Sequence, residues 1–570
     1  MGNTVRWITL LCLALALWGL GDIFLWADEG ETVFLAHSIL QHGLPNINVD
    51  GFSLCAYQKA TASGIWIIHP WLQFYVTSIF LFIFGTSVFF LRLPFALMGV
   101  ACVPVLFGLT RRLGLSQRAQ ILAATLLAMN VPFLLLIRNV RYYAGAVLCT
   151  LLLLCFYLDL RKKKQHAAIY FTITGILFVH LVHFMCFAVL AAILLHAVLF
   201  DRQRCTWRAL AWATAGIVIA FLPFGILGWS TIQEYLAARG TLGHGASAWD
   251  ILLGAIIHIF NLLKYNFPGL LCVPLFGLLT LRMFSKIKFQ LPRVFSDLNN
   301  WYAGRQLAAP FGVEAFCLVL FVIGAIPLAA SALLNQALNP AYVLPCLPMV
   351  LMLAAVVIDR LSGTLPWIVS VLMILCVGSN ALALPFWPQE NLGEKESYFF
   401  CAKEKRFDLL KKNFFNHKVE FFLKDYLVEL ATPYEGPVEG IVNFLKPRVQ
   451  KGQTFFASFD HEAIFLFTGL RRIQTMPFSQ PPDWIIWRWG SPWSCGTCSG
   501  DRGWVKEIDE YLIDYLKKNS YEEITLPLPN QKQENLPIVP DFHAWVTPPV
   551  KRPVLIYRHA SLPGSVQIDP

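Results

Sequence analysis

Residues 7–31 read WITLLCLALALWGLGDIFLWADEGE. The apolar run from Trp7 to Trp26 is about 20 residues, the length that crosses a bilayer as one helix. Arg6 precedes it and Asp28-Glu29 follow it, which predicts an uncleaved first span with a cytoplasmic N-terminus. A cleaved signal peptide is the competing reading. The apolar core is too long for one, and two tryptophans and a glycine pair interrupt the cleavage context.

The rest of the chain agrees with a membrane setting. Of 570 residues, 56% are hydrophobic and 14% charged, with a mean hydropathy of +0.57. Soluble globular chains carry roughly 25% charged residues. The composition therefore excludes a soluble enzyme, a disordered chain and a nucleic-acid-binding protein. The net charge of +10 is uneven: from Gln389 onward there are 22 Lys+Arg against 23 Asp+Glu, and the part before holds 23 against 12. A basic excess confined to the apolar part marks cytoplasmic loops. The clusters are Arg111, Arg112 and Arg118; Arg161 to Lys164; Arg202, Arg204 and Arg208; and Arg282, Lys286, Lys288, Arg293 and Arg305.

All of them fall on one side if the further spans are Phe90–Leu109, Ile121–Ile137, Tyr143–Leu160, Ala167–Val182, His183–Phe200, Trp207–Gly228, Pro268–Leu281, Phe311–Leu334, Tyr342–Ile358 and Leu365–Pro385. Trp71–Phe84 and Ile251–Phe267 would invert the later loops if they crossed, so they read as helices at the outer surface. The fold expected is a polytopic α-helical membrane protein of about 11 to 13 spans. Residues 1–388 make the membrane domain, with 27–89 as its first outer loop. Residues 389–570 make an extracytoplasmic α/β domain, where Gly436–Leu445, Glu462–Thr468 and Ile508–Lys518 read as helices and Gln453–Ser458, Trp484–Trp489 and Pro553–Arg558 as strands.

Among the 12 acidic residues before Gln389, seven lie outside in this arrangement, and Asp22, Asp28, Glu29 and Glu31 are concentrated at the end of the first span. Carboxylates at a membrane boundary are costly to desolvate. Asp28 as a helix cap, with Glu29 and Glu31 in the first turn, is the purely structural explanation. A general base at the mouth of a membrane-bounded cavity is the functional one.

The Asp28-Glu29 pair, a surface helix, Gly43, His69-Pro70-Trp71 and Arg92-Leu93-Pro94 together resemble the GT-C membrane glycosyltransferases. The nearest subgroup is that of the protein O-mannosyltransferases, the lipid A aminoarabinose transferases and their uncharacterised bacterial relatives. Arg138-Asn139-Val140-Arg141-Tyr142-Tyr143 resembles their Arg-x-x-Arg-Tyr-Tyr in the second outer loop, and Tyr342-Val343-Leu344-Pro345 with Pro348 their late proline-rich segment. Gly436–Glu439, Phe467-Thr468-Gly469 and Pro482–Ile486 resemble their outer domain. Two departures stand out. Asn339-Pro340-Ala341 replaces a common arginine, and the second outer loop lacks a carboxylate.

The resemblance implies an inverting transfer of a sugar from a polyprenyl-phosphate-linked donor to a lipid, glycan or protein acceptor at the outer face of the cell membrane. In that reading Asp28 is the base and Glu29 orients the acceptor or tunes Asp28. Arg138 and Arg141 hold the donor phosphate, as guanidinium forks suit phosphate oxygens, and His69 joins them. Tyr142, Tyr143 and Tyr342 contact substrate, and the outer domain covers the cavity and helps select the acceptor. No cofactor is specified, and a divalent metal stays open. Each residue also has a plainer role. The arginines could anchor to headgroups, the tyrosines could form an interfacial belt, and His69 could be a satisfied loop histidine.

His180 and His183, three residues apart, read as packing residues more than metal ligands. Cys495-Gly496-Thr497-Cys498 reads as a short structural disulfide in an oxidising compartment. A transporter or flippase of a lipid-linked saccharide is the alternative function, but it calls for a pseudo-repeat and charges at mid-bilayer, and neither is present in the sequence. A sensor anchored by its helices is a third reading, and so many spans are excessive for an anchor.

Overall fold

The computed structural model describes residues 2–54, 60–200, 204–243, 344–362, 366–379, 420–432, 436–450, 452–457, 461–473, 476–488, 502–530, 543, 545–547, 550 and 553–563. The first helix, α1, covers Gly2–Leu17 and so stops well short of Trp26, which corrects the span read from hydropathy. The apolar run continues, but Gly19 takes a φ of +60° and the chain passes through tight turns. Hydropathy measures transfer into lipid, not helix continuity, so a Gly-Leu-Gly break inside an apolar run is invisible to it.

Helix α2 (Ala27–His42) ends on Gly43 in the left-handed conformation. A two-residue hairpin follows, β1 (Asn48–Val49) with β2 (Phe52–Ser53). Asp50 and Gly51 turn it, both at positive φ, as such a tight turn requires. Helix α3 (Leu72–Phe84) packs along α2 and leaves Ile79, Phe82 and Ile83 exposed.

The bundle proper begins with α4 (Val88–Arg112). The expected span Ile121–Ile137 is two helices, α5 (Gln117–Ala128) and α6 (Val131–Ile137), bent by 57°. Asn130 makes the break, since its side chain accepts from Phe133 N and Pro132 sits in the first turn of α6. Helices α7 (Tyr143–Arg161), α8 (Ala167–Leu181), α9 (His183–Phe200) and α10 (Arg204–Gly243) follow, then α11 (Leu347–Ser362) and α12 (Pro366–Gly378). Among the described residues three helices are long and apolar enough to cross a membrane, or four if α5 and α6 form one span. The expected spans Pro268–Leu281 and Phe311–Leu334 and the surface segment Ile251–Phe267 lie outside the described residues.

His180 and His183 do not share a helix face. Val182 is extended between α8 and α9. His180 Nε2 lies 3.1 Å from the Ala220 carbonyl oxygen, and His183 stacks on Phe221 at 5.5 Å. Cys495 and Cys498 lie outside the described residues.

The C-terminal elements are α13 (Phe422–Ala431), α14 (Pro437–Leu445), β3 (Thr454–Ala457), α15 (His461–Thr468), β4 (Arg471–Arg472), β5 (Trp484–Trp487), α16 (Arg502–Lys518), β6 (Tyr521–Pro529) and β7 (Pro553–His559). They form one five-stranded mixed sheet in the order β4-β3-β5-β7-β6. Strand β6 was not read from sequence. Its alternation is limited to Ile524 and Leu526, and Pro527 and Pro529 mask it. Phe465 of α15 packs on Phe34 of α2 and Phe52 of β2, with ring centroids 5.7 and 4.7 Å away. The segment from α2 to α3 and the C-terminal sheet thus share one apolar core.

Charge separates along α7. At its C-terminal end Asp159 pairs with Arg112 at 3.2 Å and Lys164 at 2.8 Å. Arg141, Asp28 and Glu29 gather at its N-terminal end, about 28 Å away by helical rise.

Gly99 of α4 faces α6, and a Cβ there would lie 2.5 Å from Ile137 Cβ. Gly99→Val is therefore expected to cost about 1–3 kcal/mol through overpacking, measured as a lower midpoint of thermal unfolding in detergent.

Candidate functional site

The site begins where the chain leaves α1. Glu29, in the first turn of α2, has no solvent exposure. Its Oε1 accepts from Arg92 Nε at 2.9 Å and from Val140 N at 2.7 Å. Its Oε2 accepts from Arg92 Nη2 at 2.6 Å and from Trp26 N at 3.4 Å. Arg92, on α4, also donates to the carbonyls of Leu20, Ile23 and Phe24 at 3.0, 2.6 and 3.1 Å. These are the carbonyls that the break in α1 leaves without helical partners. A buried ion pair is tolerated when the remaining donors are also satisfied, and here each nitrogen of the guanidinium is engaged. Glu29 is thus committed to holding three segments together, and neither of its oxygens is left over for a substrate.

The turn between α6 and α7 is tied to α2 residue by residue. Asn139 Oδ1 accepts from Trp26 Nε1 at 2.7 Å, and Val140 N donates to Glu29. Arg141 Nη2 then donates to Asp28 Oδ2 at 2.8 Å and Nη1 to Thr32 Oγ1 at 3.1 Å. Glu31 Oε1 lies 3.6 Å from Arg141 Nη1. The Arg141 side chain is 4% exposed and that of Asp28 27%, so the base candidate reaches the surface and its cation does not. Burial pulls the Arg141 pKa down, and the Asp28 carboxylate, followed by Tyr143, Glu31 and Tyr142, more than offsets this. The net shift is upward and the guanidinium stays charged.

Gly30 explains how a glycine fits in this helix: a Cβ would stand 3.3 Å from Glu462 Cβ, so its absence lets α15 seat against α2.

Arg138 is not brought to Asp28. It donates through Nη1 to Tyr426 Oη and through Nη2 to the Gly19 carbonyl, both at 2.7 Å. Tyr426 Oη donates in turn to the Leu15 carbonyl at 2.7 Å. Arg138 ties the turn between α6 and α7 to the end of α1 and to α13. Tyr142 and Tyr143 are interior, each 1% exposed, with ring centroids 4.8 Å apart; they are not an interfacial belt. His69 is half-buried, stacked at 5.9 Å from Trp66 and 5.9 Å from Tyr142. Tyr342 lies outside the described residues. Among the described residues no group of three or more His, Cys, Asp or Glu side chains could hold a metal ion.

Sequence reasoning quoted Arg92 only as a helix start and left Thr32 and Asn139 without a role. A single arginine within the apolar run Phe89–Val100 was itself a signal, because such a charge needs a buried carboxylate.

Residues 68–229 match the family model for dolichyl-phosphate-mannose-protein mannosyltransferase. Over 99% of both chains, the structure superposes on ArnT from Cupriavidus metallidurans bound to undecaprenyl phosphate, at 12% identity and a TM-score of 0.54. The two chains share one fold. The apo state of ArnT gives a TM-score of 0.52 at 12% identity, again over 99% of both chains. The Archaeoglobus fulgidus oligosaccharyltransferase in apo form gives 0.42 at 13% identity, over 92% of this chain and 69% of that one. No curated protein matches the sequence. The chain therefore shares the fold of ArnT, and the segment that the family model matches contains Arg92, Arg138 and Arg141.

Removing one partner of the Glu29–Arg92 pair strands a buried charge. Arg92→Leu is expected to destabilise by about 3–5 kcal/mol. The double replacement Glu29→Leu with Arg92→Leu should recover part of that loss, read by thermal unfolding in detergent.

Proposed function

We propose that the protein is an inverting glycosyltransferase that moves a sugar from a polyprenyl-phosphate-linked donor to an acceptor at the outer face of the membrane. The observation that carries this reading is the contact of Arg141 with Asp28 at 2.8 Å, with the carboxylate partly exposed and the guanidinium beneath it buried. The undecaprenyl phosphate held by ArnT, a chain of the same fold, supports a lipid-linked donor.

In this mechanism the acceptor hydroxyl or amine gives its proton to Asp28 as its lone pair forms the bond to the anomeric carbon. The bond from that carbon to the phosphate oxygen breaks on the opposite face, and its electron pair leaves with the carrier phosphate. One displacement inverts the anomeric centre. Before the step, Arg141 orients Asp28 through their 2.8 Å contact. As Asp28 takes the proton its charge disappears, and the buried guanidinium becomes available to the phosphate as that group gains charge. His69, whose ring lies 5.9 Å from that of Tyr142, the residue after this arginine, is a second donor to phosphate. Glu29 is a positioning residue in this scheme, and so is Arg138, because their hydrogen bonds go to the protein. Tyr142 supports Arg141, whose Cζ lies 5.8 Å from its ring centroid.

General-base catalysis contributes about 10²–10⁴-fold, so Asp28→Asn is expected to lower the transfer rate by that factor at unchanged protein level. Mass analysis of envelope glycans in cells carrying the parent or the variant checks it. A variant that supports the parental rate removes Asp28 from the mechanism. Precursor stranded on the inner leaflet would instead mark a transporter.

A further inference from the structure

Arg141 is faced by two carboxylates, not one. Asp28 and Glu31 are three residues apart at the start of α2, so they share a helix face. Asp28 Oδ2 accepts from Nη2 at 2.8 Å, and Glu31 Oε1 lies 3.6 Å from Nη1. At 3.6 Å the second contact is an ion pair without a hydrogen bond. The hydrogen bond of Nη1 goes instead to Thr32 Oγ1, whose own proton is committed to the Asp28 carbonyl at 2.9 Å. Glu31 is therefore drawn to the guanidinium by charge alone.

The Arg141 side chain is 4% exposed, against 27% for Asp28 and 14% for Glu31. Both terminal nitrogens are engaged, and Nε is buried. A phosphate can reach Arg141 only by taking the place of a carboxylate. In the mechanism above Asp28 loses its charge when it takes the acceptor's proton, and so gives up its claim on Nη2. Glu31 takes no proton in that step. It keeps its charge and remains the rival anion at Nη1.

We propose that Glu31 is a positioning residue that competes with the carrier phosphate for Arg141. Like charges set side by side repel, so Glu31 weakens the hold of the guanidinium on the phosphate. Once the sugar has been transferred, it draws the guanidinium back, and the spent carrier leaves. The inference rests on the glycosyltransferase reading above and adds to it a residue that governs release of the lipid product.

The test replaces Glu31 by glutamine, which keeps the size and removes the charge. Thermal unfolding of the purified full chain in detergent is followed across titrations with undecaprenyl phosphate and with undecaprenol, which has the same isoprenoid and no phosphate. The E31Q protein is expected to bind undecaprenyl phosphate about tenfold more tightly than the parent, and undecaprenol equally well. Asp22→Asn removes an exposed carboxylate from the same stretch and should leave both affinities unchanged. Replacing a merely structural residue would not tighten phosphate binding. Glu31→Met removes the charge with different packing and serves if E31Q does not fold. Failure of both to fold marks Glu31 as structural and overturns the inference. Unchanged or weaker binding of undecaprenyl phosphate by E31Q, equal tightening by D22N, or tighter binding of undecaprenol by E31Q also overturns it and leaves the transferase reading standing. A parent chain that does not respond to undecaprenyl phosphate overturns both.

Discussion

The buried pair of Glu29 and Arg92 is the constraint on which the rest of the outer end depends. A carboxylate and a guanidinium removed from water are costly unless their remaining lone pairs and protons are met. Meeting them here draws three segments to one point: the unwound turn after α1 through its carbonyls, the start of α2 through Trp26 N, and the α6–α7 turn through Val140 N. Asp28 and Arg141 are the immediate neighbours of Glu29 and Val140, so their contact follows from the pair beneath them. The reacting carboxylate of the proposed mechanism is held by a charge pair that takes no part in the chemistry.

The C-terminal sheet is bound into the same arrangement by different forces. Phe465 packs against the Phe34–Phe52 pair, and Gly30 admits α15 at close range. Tyr426 Oη accepts from the Arg138 guanidinium and donates to the Leu15 carbonyl. Apolar burial supplies the non-directional attraction, and the hydrogen bonds set the register. At the far end of α7 the Arg112–Asp159–Lys164 cluster gives the bundle its charge asymmetry, the physical basis on which sidedness was read.

Much of this was legible in the chain. The acidic concentration from Asp22 to Glu31 and the Arg138–Tyr143 motif were each readable as residues out of place in an apolar protein, and they do meet. What could not be read was which member of each pair does what. Asp28 and Glu29 are adjacent and alike in type; one lies against Arg141 with partial exposure and the other is sealed against Arg92. Arg138 and Arg141 are three residues apart on a short turn that sends one toward α13 and the other toward α2. These divisions depend on side-chain direction and on partners 63 to 288 positions distant in sequence. Local pattern carries no information about either.

Composition and periodicity alone determined an apolar, largely helical chain and the types of charge gathered at the end of its first apolar run, because transfer free energy is additive along the sequence. Only the tertiary structure decided where α1 stops, where α5 bends into α6, and which carboxylate is structural. Those outcomes arise from hydrogen bonds between segments far apart in the chain, and a buried charge selects its partner by proximity and geometry once the bundle has closed around it.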